Sequence, residues 1–144
     1  MSQRNFMSHI GIAVANLEEA INRYEMLTDN HNPHIAEVPD QKVKVAIFST
    51  ETENSSSDGG RIELVSPTSD DSPIAKFIQK KGEGLHHICI YVDDLDKKLA
   101  ELKSAGARLI DESPRIGAEG TRIAFVHPST TGGVLIELEE RSSL

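Results

Sequence analysis

The sequence predicts an α+β fold built from two similar halves. The string His-Ile-Gly-Ile-Ala-Val-Ala-Asn-Leu-Glu-Glu at residues 9–19 returns, with similar residue types in the same order, at residues 87–97. Each half then closes on an Ile-Glu-Leu triplet, at residues 62–64 and 136–138. Between these landmarks each half reads as one strand, one helix and about three further strands, and this order of elements is typical of the α+β class.

The first half contains one helix between strands. Asn16 is a good N-cap and Glu19 completes a capping box, so a helix is predicted over residues 17–27. Alternating side chains predict strands over three segments, of which the last carries Glu63: residues 7–15, 43–48 and 61–66. Breaker residues and runs of polar residues predict loops in two more segments: residues 29–33 and 51–60.

A short helix is predicted between the halves, at about residues 72–81. Ser72 is a suitable N-cap and Pro73 suits the first helical position, where a missing N–H costs nothing. Gly82 and Gly84 end the helix.

The second half repeats the plan of the first. A strand is predicted over residues 85–92, Asp94 caps a helix that Gly106 ends, and two strands follow: residues 121–127 and 133–139. We therefore expect a single domain over residues 1–144, with internal repeats at about 7–67 and 85–140 joined by the linker helix at about 72–81.

Composition excludes several classes of function. The net charge of −8 argues against nucleic acid as a partner, because phosphate contacts need clustered Lys and Arg. No run of eighteen apolar residues is present and the N-terminus lacks the apolar core of a signal peptide, so neither membrane insertion nor export is expected. Cys89 is the only cysteine, and its apolar surroundings predict a buried thiol. These features indicate a cytoplasmic protein.

The candidate functional residues are the His and Glu that recur in both halves. One His on a strand is usually a core or surface residue, and one Glu between apolar neighbours usually faces solvent. Their recurrence at equivalent places of the two halves supports a functional role for two pairs: His9 with Glu63, and His87 with Glu137. If the halves face each other, two imidazoles and two carboxylates form a ligand set for one divalent metal ion. A cation would also offset the cost of burying two carboxylates.

The other four histidines have simpler predicted roles. His86 should point away from His87, because neighbouring side chains of a strand lie on opposite faces. His127 precedes a proline at a strand end and is predicted to serve in a turn. His31 and His34 lie in a region of breaker residues and are predicted to be solvated loop residues.

Beyond these patterns, the chain resembles the methylmalonyl-CoA epimerases of the vicinal-oxygen-chelate (glyoxalase/dioxygenase) superfamily. The resemblance covers nearly the whole chain and is carried by five segments: residues 9–14, 71–78, 82–88, 114–118 and 127–138. The linker segment and the last two segments are specific to the epimerase branch, whereas the His and Glu pattern belongs to the wider superfamily.

The resemblance implies a fold, an activity and a cofactor. The fold would be two paired βαβββ modules forming a curved mixed sheet around a metal cleft, in a homodimer. The activity would be the interconversion of (2R)- and (2S)-methylmalonyl-CoA, an isomerase reaction of propionate metabolism. The cofactor would be a divalent metal ion, with cobalt expected and manganese, nickel or zinc possible. The metal ligands of the family fall on four residues: His9, Glu63, His87 and Glu137.

Epimerisation requires a proton to leave one face of C2 and return to the other, which two bases on opposite faces achieve directly. The resemblance points to Glu137 as one base. Some family members carry a second Glu where this chain has Val45, and some carry Gln in place of Glu63. The pseudo-symmetry of the repeat makes Glu63 the candidate second base here.

Two alternatives to the epimerase remain open. A glyoxalase I-type isomerase would use the same metal chemistry on a glutathione hemithioacetal. A non-enzymatic ligand-binding protein of the same fold is the alternative from a different class. An extradiol dioxygenase is disfavoured, because its further catalytic groups are not found in the sequence.

Overall fold

The computed structural model describes residues 4–50 and 59–141. Within those ranges it contains eight β-strands and three α-helices, together with short 3₁₀ turns at Pro39–Gln41 and Pro128–Thr130. The elements, in chain order, are β1 Met7–Ala13, α1 Leu17–Thr28, β2 His34–Val38, β3 Val43–Phe48, β4 Arg61–Pro67, α2 Pro73–Lys81, β5 Gly84–Val92, α3 Leu95–Ser104, β6 Arg115–Ile116, β7 Arg122–Val126 and β8 Ile136–Glu140.

The chain divides into two compact units. The first unit is residues 9–86, and the second unit is residues 1–8 together with 87–144. Each unit follows the order strand, helix, three strands, so the predicted α+β class with βαβββ modules is confirmed. Organisation as one domain of two internal repeats stays a prediction.

The first unit contains a mixed sheet in the order β2-β3-β4-β1. Strand β1 runs parallel to β4, with Gly11 opposite Glu63, and β3 is antiparallel to β4. Helix α1 begins at the predicted cap, where Asn16 Oδ1 accepts a hydrogen bond from Glu19 N at 3.1 Å. The helix covers one face of the sheet through a core of buried residues: Val14, Ala20, Ala46, Phe48 and Leu64.

This packing decides which way the candidate residues of the first unit point. Leu64 lies in the core beneath α1, and successive side chains of a strand alternate between faces. Glu63 therefore lies on the face of the sheet away from α1. His9 lies on that same face, because Ile12 of the same strand packs against the helix core.

The second unit is built in the same way, with its sheet in the order β5-β8-β7-β6. Strand β5 runs parallel to β8, placing Cys89 opposite Glu137, and β7 is antiparallel to β8, placing Phe125 opposite Glu137. Helix α3 covers one face of this sheet. The core between helix and sheet contains six buried residues: Val92, Leu95, Leu99, Ala124, Val126 and Leu138. Since Leu138 faces the helix, Glu137 points away from it.

The helix between the repeats begins and ends where the sequence predicts. Ser72 Oγ accepts a hydrogen bond from Ile74 N at 3.2 Å, and Pro73 occupies the first helical position. Gly82, with φ of 78°, follows the last helical residue, in a conformation that favours glycine. None of the helices in residues 4–50 and 59–141 is long and apolar enough to cross a membrane.

Three sequence predictions about strands and loops are wrong. His34 was predicted to lie in a loop, but it is the first residue of β2, although it is exposed. The two-residue strand β6 was also missed. Both strands lie at sheet edges and contain no fully buried residue, so little alternation is required, and β6 is in addition only two residues long. The last strand begins at Ile136 rather than at Gly133, because Gly132 and Gly133 have positive φ values of 76° and 123°, which do not suit a β-ladder. Of the loop predicted over 51–60, residues 51–58 lie outside the described residues.

Candidate active site

The first unit contains a buried pair of His9 and Glu63. Their Nε2 and Oε2 atoms are 3.1 Å apart, and the residues are 3% and 6% exposed. The parallel register of β1 and β4 brings them together, since it places Arg61 opposite His9 and Glu63 only two residues farther along β4.

The second unit contains the same arrangement in His87 and Glu137. Nε2 and Oε1 are again 3.1 Å apart, and the residues are 7% and 8% exposed. Phe125 flanks the pair: it lies opposite Glu137 across the β7–β8 ladder, and its ring meets the His87 ring edge-on at 6.0 Å. The orientation of His87 is therefore constrained by packing as well as by Glu137.

The separation in both pairs suits two neighbouring ligands of one metal ion. Two donor atoms that each lie about 2.1 Å from an ion, at right angles, are about 3 Å apart. A simple hydrogen bond between an imidazole and a carboxylate has the same length. Neutral imidazole and ionised carboxylate are both ligands for divalent first-row metals, so the donor set fits such an ion.

A second carboxylate, Glu139, lies on the same face of β8 as Glu137, and the sequence analysis missed it. Glu139 is 3% exposed and accepts three hydrogen bonds within the second unit. Ser8 Oγ donates to its Oε1 at 2.8 Å and Cys89 Sγ donates to the same oxygen at 3.6 Å. Thr121 Oγ1 donates to Oε2 at 2.6 Å. The signal in the sequence was the two-residue spacing from Glu137, which places both carboxylates on one face.

An arginine contacts the Phe125 ring that flanks the His87–Glu137 pair. The Arg115 guanidinium lies over the Phe125 ring, with Cζ 5.3 Å from the ring centroid. Asp111 holds it there: Arg115 Nε is 3.4 Å from Asp111 Oδ2, which also accepts a hydrogen bond from Phe125 N at 2.8 Å.

The remaining sequence-predicted residues lie outside these pairs. Val45 is 1% exposed and lies opposite Val65 in the β3–β4 ladder. His86 contacts the ring of Phe77 edge-on at 4.8 Å. His127 has the predicted turn role, since its Nδ1 accepts a hydrogen bond from Ser129 N at 3.0 Å. The thiol of Cys89 is buried as predicted.

Two clusters of charged residues form ion pairs at the surface and are not part of the candidate active site. Lys42, which immediately precedes β3, donates a hydrogen bond to Asp71 of the linker, as does Ser69, and these contacts lower the pKa of Asp71 to about 2. Arg122 donates to both Asp96 and Glu140, and these carboxylates raise the pKa of its guanidinium.

Comparison with known proteins identifies the family. The family model of the Glyoxalase/Bleomycin resistance protein/Dioxygenase superfamily matches residues 8–125. The chain belongs to this superfamily. The resemblance seen in the sequence is thereby confirmed, and the His–Glu pairs are residues of a glyoxalase-superfamily protein.

Several relatives with a named activity are epimerases. The ethylmalonyl-CoA/methylmalonyl-CoA epimerase of Cereibacter sphaeroides is 38% identical over 136 residues, covering 93% of this chain and 96% of that protein. The human mitochondrial methylmalonyl-CoA epimerase is 36% identical over 135 residues, covering 93% of this chain and 73% of that protein. A solved methylmalonyl-CoA epimerase in complex with methylmalonyl-CoA and NH4+ has a TM-score of 0.87 at 32% identity, covering 98% of this chain and 97% of that one.

Proposed function

We propose that this protein is a methylmalonyl-CoA epimerase, which interconverts (2R)- and (2S)-methylmalonyl-CoA. The observation that carries the proposal is the buried His–Glu pair present with the same 3.1 Å separation in each unit. It occurs in a chain similar along nearly its whole length to epimerases of this substrate.

The proposed metal ligands are His9, Glu63, His87 and Glu137, acting on one divalent ion. The support is the donor chemistry: each unit offers an imidazole nitrogen and a carboxylate oxygen at the separation of neighbouring ligands. Cobalt is the proposed ion, with manganese, nickel and zinc as alternatives that accept the same donors. When bound, the ion supplies positive charge that stabilises negative charge developing on the substrate oxygens.

The proton transfers are assigned to two carboxylates. The C2 hydrogen lies between a thioester carbonyl and a carboxylate, so its removal leaves a delocalised anion. Glu137 is the proposed base for one face of C2, and Glu63 the proposed base for the other. Val45 supports the second assignment, because an apolar side chain at that position cannot exchange a proton. Both carboxylates are less than a tenth exposed, which limits competition from water.

The finer features of the proposal concern the cellular setting. We propose a homodimer located in the cytoplasm and acting in propionate metabolism. The support for the location is the single, buried cysteine, which fits a reducing compartment. The support for the metabolic role is the substrate of the related epimerases.

The test is metal-dependent exchange of the C2 proton of methylmalonyl-CoA with solvent deuterium. The purified protein loaded with cobalt should incorporate deuterium and interconvert the epimers, and chelation followed by dialysis should abolish both reactions. Cobalt should restore them. A parallel assay with a glutathione hemithioacetal distinguishes a glyoxalase I-type isomerase.

Absence of exchange with either cobalt or manganese at full metal occupancy would contradict the proposal. Binding of methylmalonyl-CoA without exchange would instead indicate the non-enzymatic alternative.

A further inference from the structure

Glu139 is the buried carboxylate that the proposed mechanism does not use. It lies two residues after Glu137 on β8 and faces the same way, yet it is less exposed than Glu137. Burying a carboxylate is unfavourable unless hydrogen bonds compensate, and an apolar residue of similar volume often serves stability as well. Since packing alone does not require a charge there, the three donors around it indicate a specific task.

The hydrogen bond from Thr121 is the strongest of the three. Its 2.6 Å length lies in the range of O–H···O⁻ bonds to an ionised acceptor. Thr121 closes a tight loop, because its carbonyl accepts a hydrogen bond from Gly117 N at 2.9 Å. The loop packs closely at Gly117, where an added Cβ would lie 2.9 Å from the side chain of Ile123. Glu139 thus accepts its shortest hydrogen bond from a residue at the base of a hydrogen-bonded turn.

The other two donors belong to segments that flank the His87–Glu137 pair. Cys89 follows His87 by two residues on β5 and lies directly opposite Glu137 in the β5–β8 ladder. Its thiol donates to the same Glu139 oxygen that accepts from Ser8. The carboxylate therefore links β8, which carries Glu137, to β5, which carries His87.

We propose that Glu139 is a positioning residue, which holds the relative placement of His87 and Glu137 through Thr121, Cys89 and Ser8. This inference rests on the proposed function, which assigns metal binding to His87 and Glu137 and proton transfer to Glu137. Glu139 neither takes the substrate proton nor serves as a ligand. It acts by fixing the strands, so that the Nε2 and Oε1 atoms keep their 3.1 Å separation.

Thr121 offers a matched pair of variants that leave the carboxylate itself in place. Thr121→Val removes the donor while keeping the size of the side chain, and Thr121→Ser keeps the donor. Cobalt-loaded proteins are compared by kcat and KM with methylmalonyl-CoA, by the Co2+ dissociation constant from chelator competition, and by Tm. The affinity measurement needs no substrate, so it tests the positioning role even if the protein proves not to be an epimerase.

The expected result for Thr121→Val is a kcat about tenfold lower with KM within about twofold, and Co2+ affinity about tenfold weaker at full stoichiometry. Thr121→Ser should stay within about twofold of wild type in each quantity. Glu139→Gln should match Thr121→Val, and the double variant should be no worse than Glu139→Gln alone, since both remove one network.

Three outcomes would overturn the inference. The first is a lower Tm for Thr121→Val with kcat and Co2+ affinity unchanged, because a purely structural contact would give that result. The second is an equal loss in Thr121→Ser. The third is a stoichiometric loss of cobalt in Glu139→Gln, which would make Glu139 a ligand.

Discussion

The two proposed bases should be separable by the epimer on which each acts. In a two-base reaction one carboxylate removes the proton from the (2R) epimer and the other removes it from the (2S) epimer. Glu63→Gln and Glu137→Gln are suitable perturbations, because Gln keeps the volume of each buried side chain and one oxygen facing the histidine, while it removes the charge and the basicity. Burial below 10% leaves little water to replace either base.

The expected magnitude follows from the loss of one general base. Removal of a positioned base costs about 10²- to 10⁴-fold in rate, or about 2.7–5.4 kcal/mol of transition-state stabilisation. Epimerisation, which needs both bases, should fall by that factor in each variant. Deuterium exchange should fall in the same way from one epimer only, and the retained epimer should be opposite in the two variants.

The assay follows C2 deuterium by NMR or mass spectrometry, starting from each pure epimer, with metal content measured on the same samples. Glu112→Gln is the matched control, because this carboxylate is 72% exposed and pairs only at the surface with Lys103. It should behave as wild type. If Glu63→Gln retained wild-type exchange from both epimers at full metal occupancy, the assignment of Glu63 as the second base would be refuted.

Two further predictions concern the framework that carries the site. Leu95→Ala should lower the free energy of unfolding by about 3 kcal/mol in denaturant titration, because Leu95, the first residue of α3, is fully buried in the core between this helix and the sheet. Leu27→Ala, at a residue 76% exposed, should change it by less than about 0.5 kcal/mol, and equal losses would contradict the assigned core. Asp71 should titrate at about 2 by NMR, and Lys42→Met should move its pKa up toward the ordinary 3.8. Because the pKa is lowered in the folded state, this ion pair contributes stability above about pH 4 that is lost as the pH falls toward 2. An unchanged titration midpoint of Asp71 in Lys42→Met would refute the pairing.

Local features of the fold could be predicted because their causes lie within a few residues. The caps Asn16 and Asp94 each accept a hydrogen bond from the backbone three residues on, so their signature is continuous in the sequence. The repeat of the His and Glu residues was equally visible, since each side chain lies at the same position of equivalent strands. The edge strands β2 and β6 were not visible, because neither contains a fully buried residue.

The sequence by itself determined the class of fold, the helices with their caps, and which histidines and glutamates are candidates for the functional site. Only the tertiary structure decided that His9 lies 3.1 Å from Glu63 and that His87 lies 3.1 Å from Glu137, because strand register depends on pairing between distant segments. It also decided the contacts of Glu139. The donors to that carboxylate come from 131, 50 and 18 residues away along the chain, and no local pattern encodes contacts of that range. They exist only because sheet pairing brings Ser8, Cys89 and Thr121 to one buried oxygen pair.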